Sequence, residues 1–367
     1  MSVAHVIADY AEALAVAAEL AAHFRKGAAE RDARRRLPHA ELERLSASRL
    51  LAVTVTARFG GADVRADTLA EIFRLPAAAD ASLAQIPQSH FVYVNVLRRQ
   101  GTDEQQEFFF GEVLAGKRFG NAQSEAGTQH VQDIRTRLAR LPDGSYVLDG
   151  VKHYSTGALF AHWIPVLARS DDDTLHVANV PRDAPGLTVV DDWDGMGQRT
   201  TASGTVRLAS VPVPADRVVP HHLTYQGPQL HGAVAQLLHA AIDAGIASGA
   251  LAEAVEFVRT KSRPWFESAA EGHATAAEDP LLIQRFGELA IRERAAEALL
   301  REAARAVDDA RALFEVSGTR SALDSLGLHR HWRDARTHTL HDPARWKVQH
   351  IGRHVLNGTR PPRHGLL

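Results

Sequence analysis

Twenty of the 367 residues are histidines, crowded toward the last forty positions, and imidazole is the side chain that gains or loses a proton near neutrality. His338 and His341 stand three apart and His350 and His354 four apart, spacings that put two imidazoles on one helix face, as in some zinc sites. No HExxH pattern accompanies them and no third ligand is specified, so packed or solvated histidines are expected and no metal. Cysteine is absent, which removes disulfides, thiolate nucleophiles and sulfur-ligated metal centres together. Lys and Arg number 42 against 44 Asp and Glu, a net charge of −2. No basic surplus is left to neutralise a phosphate backbone, and nucleic acid is not an expected partner.

The elements that must position such groups change along the chain. From Ile7 to about Arg118 apolar residues recur three and four apart, as in Leu14, Ala17, Ala18 and Ala21, which predicts four to six helices. Breaks fall at Arg36-Leu37-Pro38, with Pro38 suited to a first helical turn, at Phe59-Gly60-Gly61 and at Gly101-Thr102-Asp103. Short β-prone runs follow at Thr136 to Leu141, Tyr146 to Leu148, Trp163 to Ala168, Leu175 to Val180, Leu187 to Val190 and Thr205 to Val211. Pro142-Asp143-Gly144 reads as a hairpin turn and Asp171-Asp172-Asp173 as a loop tip. Helix returns at Gln229 to Thr260 and Leu281 to Ala312. Three domains are expected: 1–118 helical, 119–219 β, and 220–367 a helical bundle. Met1 to Val16 carries Asp9 and Glu12 without a basic leader region, and no uncharged apolar run approaches ~18–20 residues. The reading is a cytoplasmic protein with no membrane partner.

Three stretches occur in order: Gly120-Asn121-Ala122-Gln123-Ser124-Glu125-Ala126-Gly127-Thr128, then Gly150-Val151-Lys152-His153-Tyr154-Ser155-Thr156-Gly157-Ala158, then Gly195-Met196-Gly197-Gln198-Arg199-Thr200-Thr201 ahead of Val211-Pro212-Val213-Pro214. With the order helices, strands, helices, they resemble the acyl-CoA dehydrogenase fold along nearly the whole chain. That resemblance implies an α+β architecture: an N-terminal helical domain, a middle β-barrel-like domain and a C-terminal helical bundle. The branch is decided near the C-terminus. Typical acyl-CoA dehydrogenases follow an Arg-Asp-Ala-Lys stretch with Tyr-Glu-Gly-Thr, whose Glu removes the α-proton of a thioester. Here Arg333-Asp334-Ala335-Arg336 leads instead to His341-Asp342-Pro343-Ala344. This pattern is similar to the flavin-dependent two-component monooxygenases of the same fold, the group of dibenzothiophene monooxygenase and the sulfur-acquisition oxidoreductases.

The resemblance implies that reduced FMN, supplied by a separate NAD(P)H:flavin reductase, takes up oxygen at its C4a position and passes one atom to a small organosulfur substrate; FAD is the alternative flavin. It assigns His341 to the flavin peroxide and its protonation, and His90, in Gln88-Ser89-His90-Phe91, to the substrate side. Asn121 and either Ser155 or Thr156 match polar positions near the flavin ring, a one-residue shift exchanging the last two, and Ser124 and Thr128 join them as cofactor contacts. Arg263 and Arg320 match positions that grip the phosphate from different subunits, which implies a homotetramer. Phe91, Tyr93, Trp163 and Trp193 are the expected pocket walls. Two other readings stay open: an acyl-CoA dehydrogenase-type oxidoreductase with Asp342 as base, and a non-catalytic relative.

One departure stands out. The resemblance places another bundle helix between Arg311 and Leu313, where the flanks here abut, a gap on the order of 30 residues or ~45 Å of helix. Deleting one stroke of an up-and-down bundle reverses everything after it unless a neighbour breaks. The expectation is therefore a turn between Val307 and Ser317, with Asp308 and Asp309 tolerating solvent and a more open, weaker flavin phosphate side.

Overall fold

The computed structural model describes residues 6–129, 133–226 and 230–317. The chain divides into two compact units, Met1–Asp308 and Asp309–Leu367, the second contributing only the end of one helix to the described residues. Seven α-helices come first: α1 Tyr10–Arg25, α2 Ala28–Arg34, α3 His39–Ala47, α4 Ala66–Ala77, α5 Ala81–Gln85, α6 Gln88–Gln100 and α7 Asp103–Leu114. The number exceeds the four to six read from periodicity because α2 and α5, seven and five residues long, are too short to show a repeat. The sequence breaks coincide with real ends. Pro38 is the N-cap residue of α3. Thr102 and Gln105 form a capping box that starts α7.

Strands β1 Arg137–Arg140, β2 Tyr146–Lys152, β3 Trp163–Ser170, β4 Leu175–Pro181, β5 Leu187–Val190, β6 Thr205–Val213 and β7 Val218–Val219 form one sheet in the order β5-β6-β2-β1-β3-β4-β7. Neighbours are antiparallel except β1 and β3. Pro142-Asp143-Gly144 does turn β1 into β2: Arg140 faces Tyr146, and the Asp143 carboxylate accepts the Ser145 amide at 2.9 Å. Leu138, Leu148, Ile164, Val166, Ala178, Val206 and Val211 fill the sheet's own core.

Helix returns as α8 His231–Thr260, α9 Phe266–Ala270 and α10 Pro280–Ser317. By length and composition α8 is apolar enough to cross a membrane. Its first half instead buries Val234, Leu237, Leu238, Ala241 and Ile242 in a core shared with α1, α3, α4, α5, α6 and α10. Gly245 allows a close approach to α4, since a Cβ there would collide with the Arg74 carbonyl oxygen.

The expected turn after Val307 is not there: α10 continues without a break to Ser317. The reason lies at Asp308. Far from tolerating solvent, it is 4% exposed, and its two carboxylate oxygens accept the amides of Ala66 at 2.7 Å and Asp67 at 3.0 Å, closing the N-terminus of α4. Glu297, three turns earlier on α10, holds Arg74 of α4 at 2.8 Å. A chain turn at Asp308 itself would forfeit its two bonds to α4.

Candidate active site

The segment after α7 runs alongside β3 as two isolated parallel bridges, Phe119 to Trp163 and Ala122 to Val166. The Gly120 amide donates to the Trp163 carbonyl at 2.9 Å and the Ala122 amide to that of Pro165 at 3.2 Å. Gly120 is required where it stands, because a Cβ would lie 2.8 Å from the Cα of Ala158. The next residue, Asn121, thereby meets the chain that leaves β2. Its Nδ2 lies 3.5 Å from the Tyr154 carbonyl, the same oxygen that accepts the Thr156 amide at 2.9 Å. Tyr154 has a positive φ of 55° and its ring stands edge-on to Trp193, centroids 6.5 Å apart. The His153 amide donates to the Ser124 carbonyl at 2.8 Å, tying the two stretches together. Asn121, Ser124, Ser155 and Thr156 are thus brought to one place; Thr128 lies farther along the same segment, part-exposed.

Exposure separates the two hydroxyls that the sequence leaves interchangeable. Ser155 is 0% exposed, and its Oγ, like the Asn121 Oδ1, is buried with no hydrogen-bond partner. Thr156 is part-exposed, and its Oγ1 lies 2.7 Å from the Ser203 hydroxyl, which lies 2.7 Å from that of Thr201. Thr201 in turn donates to the Gln198 carbonyl at 3.0 Å. The Asn121 Oδ1 is buried without a partner, an expensive state for an amide oxygen unless a ligand completes it.

His90 is also corrected. It is 1% exposed, its Nε2–H donates to the Leu51 carbonyl at 2.9 Å, and its Nδ1 accepts the Phe119 amide at 3.1 Å. Burial pushes its pKa down to about 4, against the Leu51 bond, so the ring is neutral and both nitrogens are committed to backbone. It anchors the start of the Gly120 segment and cannot hand a proton to a substrate. Two expected pocket walls belong to the interior as well: Phe91 packs on Phe73, and the Trp163 indole donates to Glu112 at 2.9 Å. Tyr93 is buried with its hydroxyl 3.5 Å from Gln123 Oε1, whereas Trp193 stays part-exposed beside Tyr154.

Arg263 is exposed in the link between α8 and α9, and no described contact joins it to Asn121 or Thr156. His341, Arg320 and Asp342 lie outside the described residues, as do His338, His350 and His354. Among the described residues no three metal-binding side chains converge.

The sequence reading passed over Lys152 and Glu125, although each is the lone charge inside its motif stretch. Lys152 is 0% exposed; its Nζ donates to Glu125 Oε1 at 2.7 Å and to the Gln123 carbonyl at 3.1 Å. Burial lowers the lysine to about 8, the Glu125 contact opposing. Burial alone would raise Glu125, but bonds from Lys152, Thr136 and the Arg135 amide outweigh it and hold the carboxylate below its ordinary pKa. The pair clamps the Gly120 segment to β2. A second missed group lies beyond Tyr93, where the rings of His221, Tyr225 and His231 stand 5.3 to 6.2 Å apart and Asn95 Nδ2 meets His231 Nδ1 at 3.0 Å.

Family comparison agrees with this layout. The N-terminal domain of acyl-CoA dehydrogenases matches residues 11–117 and the middle domain residues 119–211. The C-terminal domain matches in two pieces, 237–312 and 301–346. Dibenzothiophene monooxygenase of Rhodococcus erythropolis is 33% identical over 95% of this chain and 94% of its own. The probable FMNH2-dependent monooxygenase SfnC of Pseudomonas putida is 31% identical over 95% and 96%. The crystal structure of FMN-bound TdsC from Paenibacillus sp. A11-2 superposes with a TM-score of 0.76 at 32% identity, covering 97% of this chain and 100% of that one. The chain belongs to the acyl-CoA dehydrogenase superfamily, in the flavin-dependent monooxygenase branch that holds dibenzothiophene monooxygenase.

Proposed function

We propose that this chain is an FMN-dependent monooxygenase acting on a small organosulfur compound, with reduced FMN delivered by a separate NAD(P)H:flavin reductase. Bound reduced FMN supplies the oxygen chemistry, activating dioxygen and passing one atom to the substrate. The observation that carries the reading is the meeting of Asn121 and Thr156 at the Tyr154 carbonyl, with one amide oxygen still unpartnered. These residues fit a flavin ring: an amide and a hydroxyl can bond its polar edge. Two carboxylates near these segments are already committed, Glu125 to Lys152 and Thr136, and Asp192 to Thr205 at 2.7 Å. The dehydrogenase reading would need Asp342 as its base, a residue one methylene shorter than glutamate and followed by Pro343.

His341 is the proton-holding residue of this proposal, on the sequence exchange described above. Supplied with a flavin reductase, NADH and oxygen, the protein is expected to convert dibenzothiophene or a smaller organosulfur compound to an S-oxygenated product. His341→Phe should fold yet release hydrogen peroxide in place of product, lowering coupling at least tenfold. Flavin-dependent acyl-CoA oxidation, or unchanged coupling in the variant, would refute the respective part.

The assembly is proposed to be a tetramer in which Arg263 and Arg320 serve one phosphate from two chains. Phe257, Trp265, Phe266, Leu281, Ile283 and Ile291 of the α8–α10 region are exposed, apolar surface of the kind a neighbouring subunit covers. Sedimentation should give four chains per particle, and Arg263→Ala mixed with Arg320→Ala under subunit exchange should regain activity. A fully active monomer would overturn this.

A further inference from the structure

The hydroxyl row Thr156, Ser203, Thr201 ends on a backbone carbonyl, and that end fixes which way every hydrogen in it points. A carbonyl oxygen only accepts, so at 3.0 Å the Thr201 hydroxyl spends its hydrogen on Gln198. Without a hydrogen between them the two oxygens would repel. A hydroxyl carries one hydrogen, so Thr201 can only accept from Ser203 at 2.7 Å, and Ser203 can only accept from Thr156 at 2.7 Å. Thr156, the part-exposed member, is left with no hydrogen to offer outward and presents lone pairs alone. The Gln198 carbonyl is itself held by the Trp193 indole N–H at 3.1 Å and the Thr201 amide at 3.2 Å, so the terminus of the row is fixed in place.

We infer that Ser203 and Thr201 are positioning residues that make Thr156 a pure hydrogen-bond acceptor and thereby select the reduced form of the flavin. The inference rests on the proposed placement of Thr156 at the flavin ring. Only the reduced ring carries a hydrogen on N5; in the oxidised ring N5 is an acceptor, and two acceptors face to face lose a bond. Redox-state selection is thus written into a polarised row of hydroxyls, without any charged group. For an enzyme fed by diffusing reduced flavin, it keeps the oxidised product from occupying the site.

The test is anaerobic titration of the full-length protein with photoreduced FMN, set against titration with oxidised FMN. The parent should bind the reduced form at least tenfold more tightly, equivalent to raising the bound flavin's midpoint potential by about 30 mV. Ser203→Ala and Thr201→Val each release the polarity of the row, and each should bring the two affinities within about twofold while leaving the thermal melt of the flavin-free protein close to that of the parent. Should Ser203→Ala fail to fold, Thr201→Val, which keeps the side-chain shape, decides the matter. Equal affinities in the parent, or an unchanged ratio in the folded variants, would overturn the inference. A parent that binds neither form would instead overturn the FMN reading.

Discussion

Replacing Asn121 by leucine is expected to lower kcat/KM for oxygenation about a hundredfold, the scale of losing one preorganised polar contact in a site, while leaving the flavin-free protein at least as stable as the parent. The two halves of that result have one cause. The Asn121 Oδ1 is buried with no partner and its Nδ2 makes only a 3.5 Å contact to Tyr154, so the side chain contributes little to the folded chain by itself. An apolar replacement of similar shape removes an uncompensated polar atom, which is neutral or stabilising. Steady-state kinetics with reductase-supplied flavin and a melt without flavin check both. A variant that loses stability and activity together would mark Asn121 as structural.

Arg31→Met should cost about 3–5 kcal/mol of stability, because it strands two buried carboxylates. Arg31 is 1% exposed. Its guanidinium holds Asp80 at 2.8 Å, Glu41 at 2.9 Å and the Lys26 carbonyl at 2.8 Å, and also meets the Phe24 carbonyl. These partners lie on or beside α1, α2, α3 and α5, so one side chain joins most of the N-terminal helices. Asp80 at the same time caps α5, accepting the Ser82 and Leu83 amides. Urea denaturation should show the loss, and adding Glu41→Gln and Asp80→Asn to the methionine variant should restore part of it by discharging the stranded groups. A loss below about 1 kcal/mol would show that solvent reaches the network.

The strands and long helices were legible because their signals are local. The β-prone run Leu187 to Val190 is β5 to the residue, and the long helix expected from Gln229 begins at His231. What the sequence could not show was who answers each polar group. His90 reads as a reactive imidazole until the Leu51 carbonyl and the Phe119 amide, 39 and 29 positions away, occupy both of its nitrogens. Asp308 reads as a solvated turn residue until α4 arrives from 241 positions upstream with two free amides. Ser155 and Thr156 differ by one place in the chain, and only the fold turns one inward and the other toward Ser203. Asn121 could be proposed because its motif is contiguous; the Lys152–Glu125 clamp could not, since a lone charge does not name its partner.

The helical core is shared between chain segments that are made far apart in time. Val234, Leu237, Leu238 and Ala241 of α8, with Leu300, Ala304 and Val307 of α10, complete the same core as Leu20, Phe24, Leu69 and Phe73. The sheet's core, by contrast, lies between Ala122 and Val218 in one uninterrupted stretch. At roughly 5–20 residues per second of synthesis, the N-terminal helices wait on the order of ten seconds or more after α7 emerges before α8 can cover them. During that interval the sheet can close on itself while the helices stand with an open apolar flank. The nascent chain is therefore most vulnerable to aggregation when it is two-thirds made, and the segment that ends the vulnerability is the one whose composition most resembles a membrane span.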